Sequence, residues 1–296
     1  MELKKNKIIV IAGPTATGKT EISIDLAKKY NAVILNADST QVYKEPLIAT
    51  AKITEEEKEG IEHYLLDLVS LNKEYTLFDY QRDGRMLLDK FIEDGRNVII
   101  VGGSGLYIKA LLYDYKLEPT NNKRKDYSKY TNYELKLMAD KIDPNNDIHE
   151  NNRQRLERYI TYYNETGKTI TKTEDIDKRL YDFTLIGLEA SREELYEYAN
   201  KRVDKMFKNG LLEEAKRLYD MNLKGFNKII GLKELGMYFD NEITFDEAKE
   251  LIKQNTRRYA KRQFTWFKNQ MKDITWFKVD YKNFNNTKDA IKKFLE

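Results

Sequence analysis

The sequence contains no cysteine and only two histidines, His63 and His149. The lack of thiols excludes disulfide bridges and thiolate zinc centres, and two imidazoles are too few for a histidine-rich metal site. No apolar run reaches the ~20 residues that a membrane-spanning helix requires. The apolar stretch near the N-terminus is too short to be the core of a secretion signal. These absences predict a cytoplasmic protein with no membrane partner.

The charge of the chain is nearly balanced, with 52 basic and 49 acidic residues and a net charge of +3. The overall charge therefore does not identify a partner, but basic residues cluster in TRRYAKRQ at 256–263. There Arg257 with Lys261, and Arg258 with Arg262, fall one helical turn apart. Such a surface suits phosphate contacts, although the solvated face of an amphipathic helix has the same pattern.

Short apolar runs alternate with helical patterns in the first part of the chain. Strands are predicted at residues 7–12, 32–38, 63–69 and 97–101, and a helix between the last two ends at Gly95. This alternation is typical of a parallel sheet covered by helices on both faces. The sequence therefore predicts an α/β fold, and the GPTATGKT loop at 13–20 that follows its first strand makes this fold P-loop NTPase-like.

The composition changes near residue 116. Residues 116–179 are polar and rich in tyrosine, with helical patterns at 131–142 and 150–163 and no strand pattern. We therefore predict an all-α insertion domain at 116–179. Residues 1–115 plus 180–296 then form the P-loop α/β core with its C-terminal helices.

A strand pattern returns at 183–190 and is followed by a helix. Ser191 has the position of its N-cap, with Glu194 three residues on and Gly210 as the stop. The remainder is predicted to be mainly helical, including a long basic segment at 246–268.

The first strand runs directly into GPTATGKT, which fits GxxxxGK[ST] between a strand and a helix. Glycines allow the loop amides to converge on phosphate oxygens, the helix N-terminus adds partial positive charge, and Lys19 adds a full one. The Thr20 hydroxyl is a ligand suited to Mg²⁺. An ordinary glycine turn is the alternative, but the context favours phosphate. The predicted diphosphate-binding residues are Gly13, Pro14, Thr15, Ala16, Thr17, Gly18, Lys19 and Thr20.

A P-loop NTPase normally has a second acid at the end of a buried strand, where it holds Mg²⁺. The strand at 97–101 ends instead in Gly102-Gly103-Ser104, and the nearest strand-end acid is Asp38. Asp38 can serve as a Mg²⁺ partner, as a base, or as the cap of a turn. Since strand ends of a parallel sheet share one edge, the phosphate loop, Asp38 and Ser104 are expected to lie together. The residues alone predict a di- or triphosphate beside a lone carboxylate.

Several motifs extend over almost the whole chain. They are GPTATGKT at 13–20, DSTQVYK at 38–44, TAK at 50–52, HYLLD at 63–67, VGGSGLYIKALL at 101–112, RVDKM at 202–206, IGLKEL at 230–235 and TRRYAKRQFTWF at 256–267. In this order and spacing they resemble the tRNA dimethylallyltransferases, also called tRNA isopentenyltransferases. In that family the phosphate loop holds the pyrophosphate of dimethylallyl diphosphate rather than ATP.

The resemblance implies transfer of the dimethylallyl group to the exocyclic amine of the adenosine 3′-adjacent to the tRNA anticodon, with Mg²⁺ as cofactor. Asp38 would accept or orient the proton of the attacking amine. Lys19 and Mg²⁺ on Thr20 would stabilise the pyrophosphate, and Arg202 matches the family arginine that reaches it. The missing second acid agrees with a reaction in which no phosphoryl group moves.

The resemblance also implies contacts with the anticodon stem-loop and the binding of one tRNA by each monomer. The matching residues are Asp38, Ser39, Thr40, Gln41 and Ser104 around the flipped base, Gln154, Arg155, Leu156, Glu157 and Arg158 in the insertion, Lys228, Ile229, Ile230, Gly231, Leu232 and Lys233 near the C-terminal helices, and the isolated Arg124. The chain departs from the family pattern at Thr40, Glu150, Asn152, Thr161 and Leu232. These departures concern RNA contacts and leave the diphosphate site unchanged.

Two other functions use the same residues. One is a P-loop small-molecule or nucleoside kinase with ATP in the loop and Asp38 as base. The other is a non-catalytic RNA-binding P-loop protein. The kinase hypothesis does not account for the basic helix or the missing second acid. The non-catalytic hypothesis does not explain why Lys19, Asp38 and Arg202 occur together. The predicted function is therefore the prenyl transfer.

Overall fold

The computed structural model describes residues 7–117, 125–169 and 177–296. Its strands are β1 (Ile8–Ala12), β2 (Ala32–Asn36), β3 (His63–Tyr64), β4 (Asn97–Gly102), β5 (Thr184–Glu189) and β6 (Thr275–Lys278). They form one sheet in the order β3-β2-β4-β1-β5-β6, and every pairing is parallel. The predicted α/β fold with a parallel sheet flanked by helices is confirmed.

Helices cover both faces of the sheet. They are α1 (Lys19–Tyr30), α2 (Glu55–Lys58), α3 (Leu77–Glu93), α4 (Gly105–Leu112), α5 (Asn132–Ile142), α6 (Arg153–Thr166), α7 (Arg192–Lys208), α8 (Leu211–Asp220), α9 (Leu232–Phe239), α10 (Phe245–Gln270) and α11 (Phe284–Leu295), with a 3₁₀ turn at Phe226–Lys228. Among these helices, none has the length and apolarity needed to cross a membrane.

The central strand β1 shows why the strands of this sheet are continuous apolar runs in the sequence. All five of its residues are buried. Val10 packs on the face covered by α3, α4 and α7 to α10, whereas Ile9 and Ile11 pack on the face covered by α1 and α11. Because both faces are buried, strand residues of either parity must be apolar.

Side-chain capping sets the start of α7 and the other long helices. The Ser191 hydroxyl accepts from the Glu194 amide at 3.2 Å, which confirms the predicted N-cap. The 26-residue helix α10 begins with a reciprocal Thr244–Glu247 capping box. These caps satisfy amides that have no intrahelical partner.

Two strand predictions differ from the structure. The strand expected at 63–69 is limited to His63–Tyr64, because Leu65 and Asp67 have positive φ angles that turn the chain out of the sheet. The strand β6 lies in a region predicted to be helical. It is a four-residue edge strand of half-buried and exposed residues, so its alternation is too short to be recognised.

The chain forms two compact units. One contains the described residues up to Asp114 together with Arg179–Glu296, and it holds the whole sheet. The other is Tyr115–Lys178, in which α5 and α6 pack around a small core that includes Leu135 and Leu156. In its described residues this second unit is helical, with no strand.

Candidate active site

Three loops meet at the carboxyl edge of the sheet. The phosphate loop follows β1, the Asp38 loop follows β2, and Gly103-Ser104 follows β4. The Ser104 amide donates to the Ala37 carbonyl at 3.1 Å, and the Ser104 hydroxyl accepts from the Ser39 amide at 2.9 Å. A Cβ on Gly102 would lie 2.1 Å from the Ala37 carbonyl oxygen, so only glycine permits this approach. The predicted convergence of these loops is therefore observed.

The phosphate loop adopts a conformation that depends on its glycines. Gly13 has φ +142° and Gly18 has φ +80°, and Gly18 is the N-cap of α1. A Cβ on Gly13 would lie 2.7 Å from the Leu188 carbonyl oxygen of β5. Side chains rarely adopt these φ values, so the sequence places glycine where the backbone requires it.

The loop amides are available to a ligand. The backbone N–H groups of residues 16–20 make no hydrogen bond within the described part of the chain. Thr17 is fully buried, and its hydroxyl donates to the Pro14 carbonyl at 2.8 Å. Unpartnered amides at the N-terminus of a 12-residue helix are an anion site. The geometry fits a phosphate group.

Gln263 of α10 links the phosphate loop to the β4–α4 loop. Its Oε1 accepts from the Thr15 amide at 2.8 Å, and its Nε2 donates to the Gly103 carbonyl at 3.0 Å. Gln263 is only 6% exposed. Sequence analysis did not select this residue. The available signal was its position on the buried stripe of α10 with Ala260 and Phe267, where a polar side chain requires partners.

Lys19, Arg202 and Asp38 form the charged centre of the site. Lys19 Nζ donates to the Pro14 carbonyl at 2.6 Å. Burial, assisted by the Arg202 charge, lowers the pKa of Lys19 to about 7, while Asp38 opposes this shift. Burial also lowers the pKa of Arg202, again opposed by Asp38. Arg202 is thus part of this cluster and not a solvated helix residue. Two cations crowded together favour an anion between them.

Asp38 is held by its own turn. The Thr40 amide and the Thr40 hydroxyl donate to Asp38 Oδ1 at 2.9 and 2.7 Å. Asp38 Oδ2 accepts no hydrogen bond from the described residues, so one carboxylate oxygen is fixed and the other is available. This arrangement combines the turn-capping role with the role of base, which the sequence left as alternatives.

Tyr259 is a further site residue that sequence analysis did not select. Its phenol lies beside the side chains of Ser104 and Gln263 and within electrostatic range of Asp38. Burial and the Asp38 charge raise the pKa of Tyr259, so the hydroxyl keeps its proton at neutral pH. In the sequence, Tyr259 lies within the basic cluster TRRYAKRQ at 256–263, of which only the charged residues were selected. It is one helical turn from Gln263, on the side of α10 that faces the site.

We expect Lys19 to take up a proton when pyrophosphate binds above neutral pH. With a pKa of about 7, Lys19 is largely neutral at about pH 8 in the empty site. A bound anion raises that pKa and restores the charge, whereas at about pH 6 Lys19 is already charged and takes up none. Calorimetry with Mg²⁺ and inorganic pyrophosphate, in buffers of different ionisation enthalpy, measures the uptake. Lys19→Met should remove the part of the proton uptake that Lys19 supplies. Equal proton uptake by this variant and the unaltered chain would contradict the assignment to Lys19.

The donor set fits a magnesium ion shared with a phosphate ligand. The described residues contain no cluster of three histidine, cysteine or acidic side chains, so they form no protein cage for a metal. Mg²⁺ needs no such cage, since it usually takes one or two protein oxygens together with substrate phosphates and water. The exposed Thr20 at the start of α1 supplies a hydroxyl oxygen beside the unpartnered amides.

Gln41 has its orientation fixed by backbone. Its Nε2 donates to the carbonyls of Thr50 and Ala51 at 3.1 and 3.3 Å, which leaves Oε1 as a hydrogen-bond acceptor. The segment before Thr50 is held in turn by Glu214, whose carboxylate accepts from three successive amides at 2.9 Å each. The TAK motif is thus a support for the Asp38 loop.

The predicted RNA-contact segments divide into exposed and buried members. Leu156 is fully buried in the helical unit, and Ile229 and Leu232 are buried in the core of the larger unit. These three side chains pack in the cores. The predicted RNA-contact surface is therefore limited to the polar residues beside them. The exposed members are Gln154, Arg155 and Arg158 of α6, together with Lys228 of the 3₁₀ turn and Lys233 of α9. Arg124 lies outside the described residues.

The basic helix α10 presents Arg258, Lys261 and Arg262 to solvent. Arg257 is half-buried and donates to the Asn200 side chain at 2.6 Å. Phe267 is fully buried, and Trp266 packs against Gly105, where a Cβ would lie 2.0 Å from its ring. The helix therefore has a basic outer side and a packed inner side.

Comparisons with known proteins show the family of the chain. A family model described as IPP transferase matches residues 41–270. The chain is 44% identical over 281 residues to a tRNA dimethylallyltransferase of Enterococcus faecalis, with 91% of each protein covered. It is 43% identical over 290 residues to the one of Bacillus subtilis, covering 94% of this chain and 92% of that protein.

Solved structures of similar fold come from the same kind of enzyme. The full-length tRNA isopentenylpyrophosphate transferase of Bacillus halodurans superposes with a TM-score of 0.74 at 36% identity, covering 98% of this chain and 96% of that one. A eukaryotic dimethylallyltransferase acting on tRNA superposes with a TM-score of 0.84 at 28% identity, covering 97% and 77%. The phosphate loop, the lone carboxylate and these matches agree, and the chain belongs to the IPP transferase family.

Proposed function

We propose that this chain is a tRNA dimethylallyltransferase. It transfers the dimethylallyl group of dimethylallyl diphosphate to the exocyclic amine of the adenosine 3′-adjacent to the anticodon, and it releases pyrophosphate. The observation that carries the proposal is the pairing of unpartnered phosphate-loop amides with one available carboxylate oxygen on Asp38. An anion site beside a single base suits a reaction in which pyrophosphate leaves and an amine loses a proton.

The bond changes follow from these two groups. The amine nitrogen attacks the first carbon of the dimethylallyl group, and the bond from that carbon to the diphosphate oxygen breaks. The electron pair leaves on pyrophosphate, and the amine proton passes to the carboxylate of Asp38. Because Thr40 fixes Oδ1 of Asp38, Oδ2 is the oxygen that receives it. A carboxylate at hydrogen-bond distance is an effective base for an amine whose nucleophilicity is low.

The leaving group gains negative charge as the bond breaks. Lys19 and Arg202 supply positive charge, and the amides of residues 16–20 supply hydrogen-bond donors that are oriented before the reaction. Groups fixed where charge develops stabilise the transition state more than the ground state. Mg²⁺ held by Thr20 and the diphosphate would add charge neutralisation of the leaving pyrophosphate.

Recognition of tRNA is assigned to three parts of the chain. Asp38, Gln41 and Ser104 line the position of the adenine, which must leave its stack to reach Asp38. The exposed basic residues of α10 contact backbone phosphates in a salt-dependent manner. The exposed residues Arg155 and Arg158 of α6 contact the anticodon stem.

The experiment that tests the proposal compares two donors. The purified chain is incubated with Mg²⁺ and an anticodon stem-loop carrying adenosine after the anticodon, with either dimethylallyl diphosphate or ATP, and RNA mass is measured. We expect a gain of one dimethylallyl group with the diphosphate alone. Turnover of ATP without that gain would replace the proposal with the kinase, and RNA binding without either reaction would favour a non-catalytic protein.

A further inference from the structure

An aromatic cluster holds the phosphate loop from outside. It consists of Tyr198 on α7, Tyr281 after β6 and Phe284 at the start of α11, and we call it the aromatic clasp. The rings of Tyr198 and Tyr281 stack with centroids 3.7 Å apart and planes at 12°. The Phe284 ring lies against Gly18, where a Cβ would be 2.2 Å from its tip. Tyr281 and Phe284 lie beyond the matched family region, which ends at residue 270.

The clasp makes one polar contact with the loop. The Tyr281 hydroxyl donates to the Ala16 carbonyl at 3.0 Å. Ala16 has φ +65°, a left-handed conformation that is costly for a residue with a side chain. Burial raises the pKa of Tyr281, so its hydroxyl remains a donor at neutral pH. The contact therefore stabilises a strained residue at the centre of the loop.

The orientation of one peptide group follows from this contact. In a trans peptide the carbonyl of one residue and the amide of the next point in opposite directions. With the Ala16 carbonyl directed at Tyr281, the Thr17 amide points away from the clasp. That amide has no hydrogen-bond partner among the described residues. It is one of the donors that an anion at the start of α1 requires.

A second peptide of the loop, between Pro14 and Thr15, is also held by side chains. The Pro14 carbonyl accepts from Lys19 at 2.6 Å, and the Thr15 amide is directed to Gln263. Two side chains from distant parts of the chain, Gln263 and Tyr281, thus set two peptides of the loop that are separated by one other peptide. Of these, only the peptide fixed by Tyr281 directs its amide to a position where no protein group meets it.

We propose that Tyr281 is a positioning residue, which orients the Thr17 amide toward the diphosphate before the ligand binds. This inference rests on the proposed function for the identity of the ligand. Its energetic effect is preorganisation, since the loop does not have to turn a peptide group when pyrophosphate arrives. It therefore acts on binding of the diphosphate and not on the proton transfer at Asp38.

The test uses Tyr281→Phe, which removes the hydroxyl and keeps the stacked ring. We expect binding of inorganic pyrophosphate with Mg²⁺, measured by calorimetry, to weaken about five- to tenfold, as for the loss of one hydrogen bond. The KM for dimethylallyl diphosphate should rise by a similar factor, with kcat within about twofold. Tyr198→Phe is the matched control, because its hydroxyl lies 3.5 Å from the Tyr281 carbonyl and does not contact the loop.

Unchanged pyrophosphate affinity in Tyr281→Phe would overturn the inference. An equal loss in Tyr198→Phe would also overturn it, as would a fall in kcat without a change in KM. Tyr281→Leu separates the ring from the hydroxyl: if only this variant loses affinity, packing is responsible and the hydroxyl is not. If the unaltered chain binds pyrophosphate but does not prenylate RNA, the proposed function fails, while the comparison of the two phenylalanine variants still decides the role of Tyr281.

Discussion

Asp38→Asn should lower kcat for prenyl transfer by about 10²–10⁴-fold, the range lost when a general base is removed. The amide keeps the size of the side chain, and its oxygen can still accept from Thr40, so the turn at 38–41 is retained. The amide does not take up the proton of the amine. Single-turnover transfer to an anticodon stem-loop, followed by RNA mass, measures the loss.

Asp289→Asn is a suitable control for this variant. Asp289 is an exposed acid of α11, and changing it alters net charge by the same amount without touching the rim of the sheet. Pyrophosphate affinity should change far less in Asp38→Asn than in Lys19→Met, since Asp38 acts on Lys19 and Arg202 only through its charge. Full activity in Asp38→Asn would exclude Asp38 as the base.

Lys19→Met should lower kcat/KM for dimethylallyl diphosphate by about 10²–10³-fold, because a charge placed at the leaving group is lost from a site shielded from water. Methionine retains most of the length and the apolar stem, so the packing of the loop is preserved. Lys28→Met is the control on the same helix, since Lys28 is exposed and pairs with Glu59 at the surface.

The two variants are expected to differ in their affinity for pyrophosphate. Asp38→Asn affects the chemical step with pyrophosphate binding retained, whereas Lys19→Met weakens pyrophosphate binding as well. Calorimetry with pyrophosphate therefore separates the two variants even when both are inactive on RNA. Equal pyrophosphate affinity in wild type and Lys19→Met would remove Lys19 from the proposed diphosphate site.

Much of the fold could be predicted because its signals are local. The buried strands β1, β2 and β4 are continuous apolar runs, and the phosphate loop is a contiguous motif with glycines where φ is positive. Asp38 was recognised because strand ends of a parallel sheet share an edge. Each of these inferences needs only a few neighbouring residues.

The residues that sequence analysis did not select have distant partners. Gln263 contacts Thr15 across 248 positions, and Tyr281 contacts Ala16 across 265. No local periodicity reports such a contact, and β6, which carries the chain toward Tyr281, is itself too short to be recognised. The predicted RNA contacts had the opposite difficulty. A matching motif contains buried packing residues as well as surface residues, and the motif alone did not separate Leu156, Ile229 and Leu232 from their exposed neighbours.

These long separations have a consequence for biosynthesis. The phosphate loop leaves the ribosome well before the residues that hold it, since β1 lies between β4 and β5, and the loop peptides are set by residues 263 and 281. Contacts of such separation form late, since loop closure must come first. During translation the loop therefore emerges long before the groups that orient it. The earliest motif to be made is among the last to become competent to hold a phosphate.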